Sequence, residues 1–281
     1  MRTLIFGAKG QLGKDLMQVF HDAGEAWGLD LPEVDIADEL RAHAVVEEYA
    51  PNLIVNAAAY TDVDGAQDHL EEAFRINEVG ARVLAEQAAY YRVPIVHYST
   101  DYVFNGAGDR PYRPGDALDP IGVYGKSKAA GEAAVRKAQP HHFILRTAWL
   151  YGPGGNNFVE KILRAARERS SLNVVADEVG SPTHTWDLAQ ATVALARTSA
   201  YGTYHAVNRG PCSRFEQAQA IVQLAGLDTA VNPCSSSEYP TKAPRPCYSV
   251  LDVETLEAAI GQEMRPWRQA LEHYMQRREP R

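Results

Sequence analysis

Thr3-Leu4-Ile5-Phe6-Gly7-Ala8-Lys9-Gly10-Gln11-Leu12-Gly13 decides how this chain is read. Four strand-type residues run into three glycines spaced G-x-x-G-x-x-G, and an amphipathic stretch, Gln11 to Ala23, follows at once. Glycines at a strand-to-helix junction let backbone approach a pyrophosphate, and the N–H groups and dipole of the helix start favour its charge. Gly7, Gly10, Gln11, Leu12 and Gly13 are therefore expected to cradle a dinucleotide.

The same rhythm continues outward. Thr3 to Phe6, Glu25 to Leu29, Leu53 to Asn56, Pro94 to Ser99 and His142 to Thr147 read as strands, and Gln11 to Ala23, Ala37 to Tyr49, Glu71 to Tyr91 and Val123 to Ala138 as crossover helices. Alternation of this kind predicts an α/β fold with a doubly wound parallel sheet covered on both faces. After Trp149-Leu150-Tyr151-Gly152-Pro153-Gly154-Gly155-Asn156-Asn157 the rhythm weakens. The expected division is a dinucleotide-binding domain over 1–150 and a smaller substrate-binding region over 151–281, interleaved so that part of 181–208 returns to the first domain. Helices are expected at Phe158 to Arg169, Trp186 to Thr198, Arg214 to Leu224, Val253 to Ile260 and Pro266 to Arg277, and an irregular loop from Asn232 to Pro246, which holds four prolines.

Composition narrows the function. The 281 residues are 45% hydrophobic and 23% charged, ordinary for a globular chain with a sizeable core. A net charge of −8 disfavours nucleic acid as partner. There is no long apolar run and no signal-type N-terminus, so no membrane partner and a cytoplasmic location are expected. Cys212, Cys234 and Cys247 fit neither a zinc site nor a Cys-x-x-Cys pair and are read as reduced thiols; His141 and His142 lack a partner at metal spacing, and no metal is assigned. Asp15 and Asp187 are read as solvated helix residues.

Chemistry enters with Tyr124-Gly125-Lys126-Ser127-Lys128. Tyr124 and Lys128, four apart on a helix, share a face, so the ammonium is expected to lower the phenol pKa and make Tyr124 an acid or base beside a nicotinamide. Asp30, at the end of the second strand, is placed to accept hydrogen bonds from an adenosine ribose and to repel a 2′-phosphate, which favours NADH over NADPH. Asp35-Ile36 follow, within reach of the adenine.

Taken together, the glycine turn, Asn56-Ala57-Ala58, Ser99-Thr100-Asp101 and Tyr124-x-x-x-Lys128 resemble an extended short-chain dehydrogenase/reductase over nearly the whole chain. Within that superfamily, Asn56-Ala57-Ala58-Ala59-Tyr60-Thr61-x-Val63-Asp64, His97-Tyr98-Ser99-Thr100-Asp101-Tyr102-Val103-Phe104, Arg146-Thr147-x-Trp149-x-Tyr151 and Arg245-Pro246 are similar to the dTDP-4-dehydrorhamnose reductase family. The resemblance implies an enzyme that uses NADH or NADPH to reduce the 4-keto group of dTDP-4-dehydro-L-rhamnose. It implies Tyr124 as proton donor, Thr100 as a hydrogen-bond donor to the carbonyl, and Lys128 on the nicotinamide ribose. Ala59, Tyr60, Thr61 and Tyr98 join the cofactor site, and Thr100, Asp101, Trp149, Asn157 and Arg245 the substrate site. Dehydrating relatives carry Asp-Glu after the threonine; Asp101-Tyr102 lacks that second acid, so simple reduction is expected. Another dTDP-keto-deoxysugar, an epimerase, a non-catalytic regulatory subunit and a homodimer all stay open at this stage.

Overall fold

Residues 1–278 are described by the structure, a computed structural model. The first half runs β1 (Arg2–Phe6), α1 (Gln11–Ala23), β2 (Glu25–Leu29), α2 (Glu39–Tyr49), β3 (Leu53–Asn56), α3 (Leu70–Phe74), α4 (Ala81–Tyr90), β4 (Ile95–Thr100), α5 (Val123–Ala138) and β5 (His142–Thr147). The second half runs β6 (Leu150–Tyr151), α6 (Phe158–Glu168), β7 (Ser171–Val175), β8 (Val179–Gly180), β9 (Thr183–His184), α7 (Thr185–Ala196), β10 (Gly202–His205), β11 (Cys212–Ser213), α8 (Arg214–Leu224), β12 (Ala230–Cys234), α9 (Glu254–Ile260) and α10 (Trp267–Arg277).

Six parallel strands form the main sheet in the order β10-β5-β4-β3-β1-β2. Alternate residues of each strand point to opposite faces. Ile5, Val55, Val96, Phe143 and Leu145 pack with α1 and α7, whereas Leu4, Phe6, Ile54, Ile95 and Ile144 pack with α2, α4 and Val135 of α5. This is the doubly wound arrangement that continuous apolar strands demand. Leu12, Leu16, Val19 and Phe20 anchor α1, and burying four such side chains contributes at most about 6–12 kcal/mol. The order of strand addition reverses between β1 and β3, with β2 on one side and β3, β4 and β5 on the other, so a crevice opens at their carboxyl ends.

A third core unites α6, β7, α8 and α10 through Leu163, Leu172, Ile221 and Leu271. Meanwhile α7 packs back on α1, and β10 extends the first sheet beside β5.

Three local expectations are corrected. The helix expected over Glu71 to Tyr91 is broken by a π-helical segment, Arg75–Gly80, between α3 and α4. Its Asn77 side chain is drawn off to the Tyr60 backbone and to Ser127, which explains the bulge. The loop expected from Asn232 begins as strand: β12 pairs in parallel with β7, and Pro233 is tolerated because β12 is an edge. Strand β10 has no counterpart among the expected elements, since Gly202-Thr203-Tyr204-His205 is short and only its last residue is fully buried.

Candidate active site

A cavity of about 730 Å³ lies along the carboxyl ends of the sheet, from the glycine turn to the loop around Trp149 and Asn157. Gly7 sits at φ +81°, and a Cβ there would meet the Ala58 nitrogen at 2.5 Å. At Gly13 a Cβ would fall 2.1 Å from the Gly7 oxygen. The turn is thus folded tightly against β3 and α1, as close backbone approach to a phosphate requires. Helix α1 starts at Gly10 with no side-chain cap and no acidic residue in its first turn, leaving its first N–H groups free for an anion. These features fit a nicotinamide dinucleotide.

Asp30 lines the cavity at the end of β2, where its carboxylate accepts the Lys9 and Leu31 backbone N–H groups, each at 2.8 Å. The Lys9 ammonium beside it pairs with Glu33 at 2.8 Å. Asp35 accepts the Ala37 N–H at 2.9 Å and pairs with Arg75 at 2.7 Å, and with Ile36 it forms the next stretch of wall. Ala59 and Thr61 line the cavity; Tyr60 does not, because Asn77 holds its backbone N–H and carbonyl. Asn77 also donates to Ser127, whose hydroxyl donates to the Tyr124 carbonyl, so one buried amide ties the β3 loop to α5. Nothing in the sequence pattern marked Asn77.

The end of β4 and the start of α5 bring Thr100, Tyr124 and Lys128 to the cavity wall. The Thr100 hydroxyl caps the Tyr102 N–H at 3.2 Å and donates to Asp101 at 3.0 Å, and it lowers the Tyr124 phenol pKa from close by. The Tyr124 ring stands edge-on to Tyr102, centroids 5.7 Å apart.

The electrostatics correct the expectation that Lys128 lowers the Tyr124 pKa. Burial, chiefly, pushes the phenol above its ordinary value, with the Asp101 and Tyr102 charges adding and the Thr100 bond opposing. Lys128 is itself 3% exposed, and burial draws its ammonium down to about 8 against the pull of Glu132. Tyr124 is therefore held as a neutral phenol near neutral pH, the form a proton donor needs. Asp101 is raised to about 6 by burial.

Behind Lys128, one helical turn on, Glu132 is fully buried and accepts from Nε and Nη2 of Arg146, each at 2.8 Å, and from Arg136 at 2.6 Å. Tyr98 reaches the cavity, but its hydroxyl is engaged by Thr192 of α7 at 2.7 Å.

On the far wall, Trp149 adopts φ 48°, uncommon for a bulky residue, and Gly180 leaves room for its indole. Asn157 caps α6 by accepting the Glu160 N–H at 3.1 Å and donates to Gln11 at 2.8 Å, which joins this loop to the glycine turn. Arg245 lies outside the cavity lining: one nitrogen binds Asp64 at 2.7 Å, the other is buried without a partner, and the guanidinium is 5.9 Å from the Tyr102 ring centre. Asp15 and Asp187 are buried, not solvated, and bond Thr185 and Asn208 respectively. Sequence reasoning also passed over Arg214, which lines the cavity against Trp149. Its signal was a cation at the first position of a helix, where the dipole disfavours it.

A second hollow of about 680 Å³, between α8 and α10, gathers none of these residues. Among the described residues no cluster of three or more metal-type ligands occurs, and no helix is long and apolar enough to cross a membrane.

Comparison with known proteins agrees along the whole chain. Residues 1–279 match the family model described as RmlD substrate binding domain. The chain is 44% identical over 278 residues to the spore coat polysaccharide biosynthesis protein SpsK of Bacillus subtilis, covering 99% of this chain and 98% of that protein. It is 39% identical over 286 residues to a dTDP-4-dehydrorhamnose reductase of Aggregatibacter actinomycetemcomitans, covering 97% of each. The crystal structure of dTDP-4-dehydrorhamnose reductase from Bacillus anthracis in complex with NADP superposes with a TM-score of 0.94 at 40% identity, covering 97% of this chain and 98% of that one.

Proposed function

The chain belongs to the dTDP-4-dehydrorhamnose reductase family, and on that footing we propose that it reduces the 4-keto group of dTDP-4-dehydro-β-L-rhamnose to give dTDP-L-rhamnose for cell-surface polysaccharide synthesis. The observation that carries this reading is that Thr100, Lys128 and a Tyr124 phenol kept neutral by burial line the same cavity as the glycine turn.

Bound NADH or NADPH supplies the hydride for C4. The Tyr124 phenol donates its proton to the C4 oxygen while Thr100 turns its hydroxyl from Asp101 to the same oxygen. Lys128 binds the nicotinamide ribose, its ammonium supported by the Glu132 carboxylate. Trp149 covers the deoxyhexose, Asn157 positions the nucleotide loop, and Arg245 turns its unpartnered nitrogen to phosphate. Asp30 receives the adenosine ribose and favours NADH; Asp35 and Ile36 flank the adenine. Support for a division near residue 150, with part of 181–208 returning, comes from α7, which packs on α1, and from β10, which joins the first sheet beside β5. The cytoplasmic setting is supported by Cys212, Cys234 and Cys247, all free thiols.

The test is stoichiometry. Incubation with dTDP-4-dehydro-β-L-rhamnose should oxidise one reduced nicotinamide per dTDP-L-rhamnose seen by NMR. A sugar rearranged without cofactor oxidation, or no turnover with cofactor bound, contradicts this reading.

A further inference from the structure

The Arg214 guanidinium lies 3.4 Å over the Trp149 ring and 4.8 Å over Phe158. Its only side-chain hydrogen bond among the described residues is a long one to Gln217 at 3.4 Å, and no described carboxylate is within ion-pair distance. A planar cation held against two aromatic rings is fixed in position without spending its five N–H donors.

The location of Arg214 defines what those donors can reach. Trp149 belongs to the wall assigned to the deoxyhexose, and Phe158 follows Asn157 and the wall assigned to the nucleotide. The group between a hexose and a nucleoside in a nucleotide sugar is the diphosphate. Arg245 approaches the same place from the opposite loop: both guanidiniums feel the charges of Tyr102 and Glu178, and the free nitrogen of Arg245 is buried without a partner. The Glu178 carboxyl is raised by burial, and Asp101, also near Arg214, is raised likewise, which weakens the competing negative charge.

We infer that Arg214 is a second diphosphate clamp, seated on Trp149 and closing on the substrate opposite Arg245. The inference rests on the nucleotide-sugar reading of the cavity. A bidentate guanidinium–phosphate contact also accounts for a cation held at the unfavourable end of α8, where no described carboxylate pairs with it.

The experiment is titration calorimetry of dTDP into NADPH-loaded protein, with thymidine binding followed by ligand-observed NMR. Arg214→Met should weaken dTDP about ten- to hundredfold, the worth of a lost charge-assisted contact, and leave thymidine and NADPH affinity as in the wild type. Arg214→Lys keeps the charge without the fork and should fall between; it decides the matter if the methionine variant does not fold. Wild type binding dTDP while both variants bind it within about threefold of wild type overturns the clamp alone. Equal losses for dTDP and thymidine also overturn it, since they mean that Arg214 acts only by propping Trp149 and Phe158. Wild type failing to bind dTDP overturns the nucleotide-sugar reading and the clamp with it.

Discussion

Lys128→Met should make this protein more stable and nearly inactive. The ammonium is 3% exposed and its pKa falls from 10.5 to about 8, with burial the largest cause and Glu132 the only opposing charge. At 1.36 kcal/mol per tenfold in proton affinity, that is a cost on the order of 3 kcal/mol. Below pH 8 the lysine is charged in both the folded and unfolded chain, so the whole cost is present. Between about 8 and 10.5 the unfolded chain binds more protons than the folded one, so wild-type stability rises with pH through this window. Methionine fills similar volume without charge. The variant should therefore melt roughly 5–10 °C higher at pH 7, and its advantage should shrink as pH approaches 10. Turnover should fall at least about a hundredfold, a trade of activity for stability expected of a buried functional charge. Thermal melts by circular dichroism at pH 7 and pH 10 read both effects. A variant that melts at or below wild type at pH 7 would refute the claim that burial of Lys128 is costly.

Glu132→Ala should cost about 3–5 kcal/mol, read as a lower urea midpoint, because it strands the Arg146 guanidinium, 2% exposed, without its partner. Gly13→Ala places a Cβ 2.1 Å from the Gly7 oxygen, so cofactor affinity by fluorescence titration should drop about tenfold or more. Asp30→Ala should raise kcat/KM with NADPH relative to NADH about tenfold, since the carboxylate beside the glycine turn no longer repels a 2′-phosphate; an unchanged ratio would show that Asp30 does not select the cofactor.

The parts of the structure legible in the sequence are those governed by local rules. The apolar strands and the glycine turn announced the doubly wound sheet, and β2, β3 and β5 and helices α1, α5 and α8 keep the expected limits. What was illegible depends on distant partners. The π-helical turn exists because Asn77 bonds Tyr60 and Ser127, residues 17 and 50 positions away. Asp15 and Asp187 looked solvated because no local pattern shows α1 and α7 packing face to face. The Tyr124–Lys128 spacing put two residues on one cavity wall but misjudged their electrostatics: helical geometry brings them to one face, yet burial acts more strongly on each than either acts on the other.

The central claim is that a neutral Tyr124 phenol, on the cavity wall with Thr100, delivers the proton to the C4 oxygen. The most direct test is oxidation of reduced nicotinamide with dTDP-4-dehydro-β-L-rhamnose, comparing wild type with Tyr124→Phe, which keeps the ring and removes only the hydroxyl. The account predicts a fall in kcat of about 10²- to 10⁴-fold with cofactor affinity unchanged. A phenylalanine variant that keeps more than about a tenth of wild-type kcat, a loss below 1.4 kcal/mol in barrier, would contradict it.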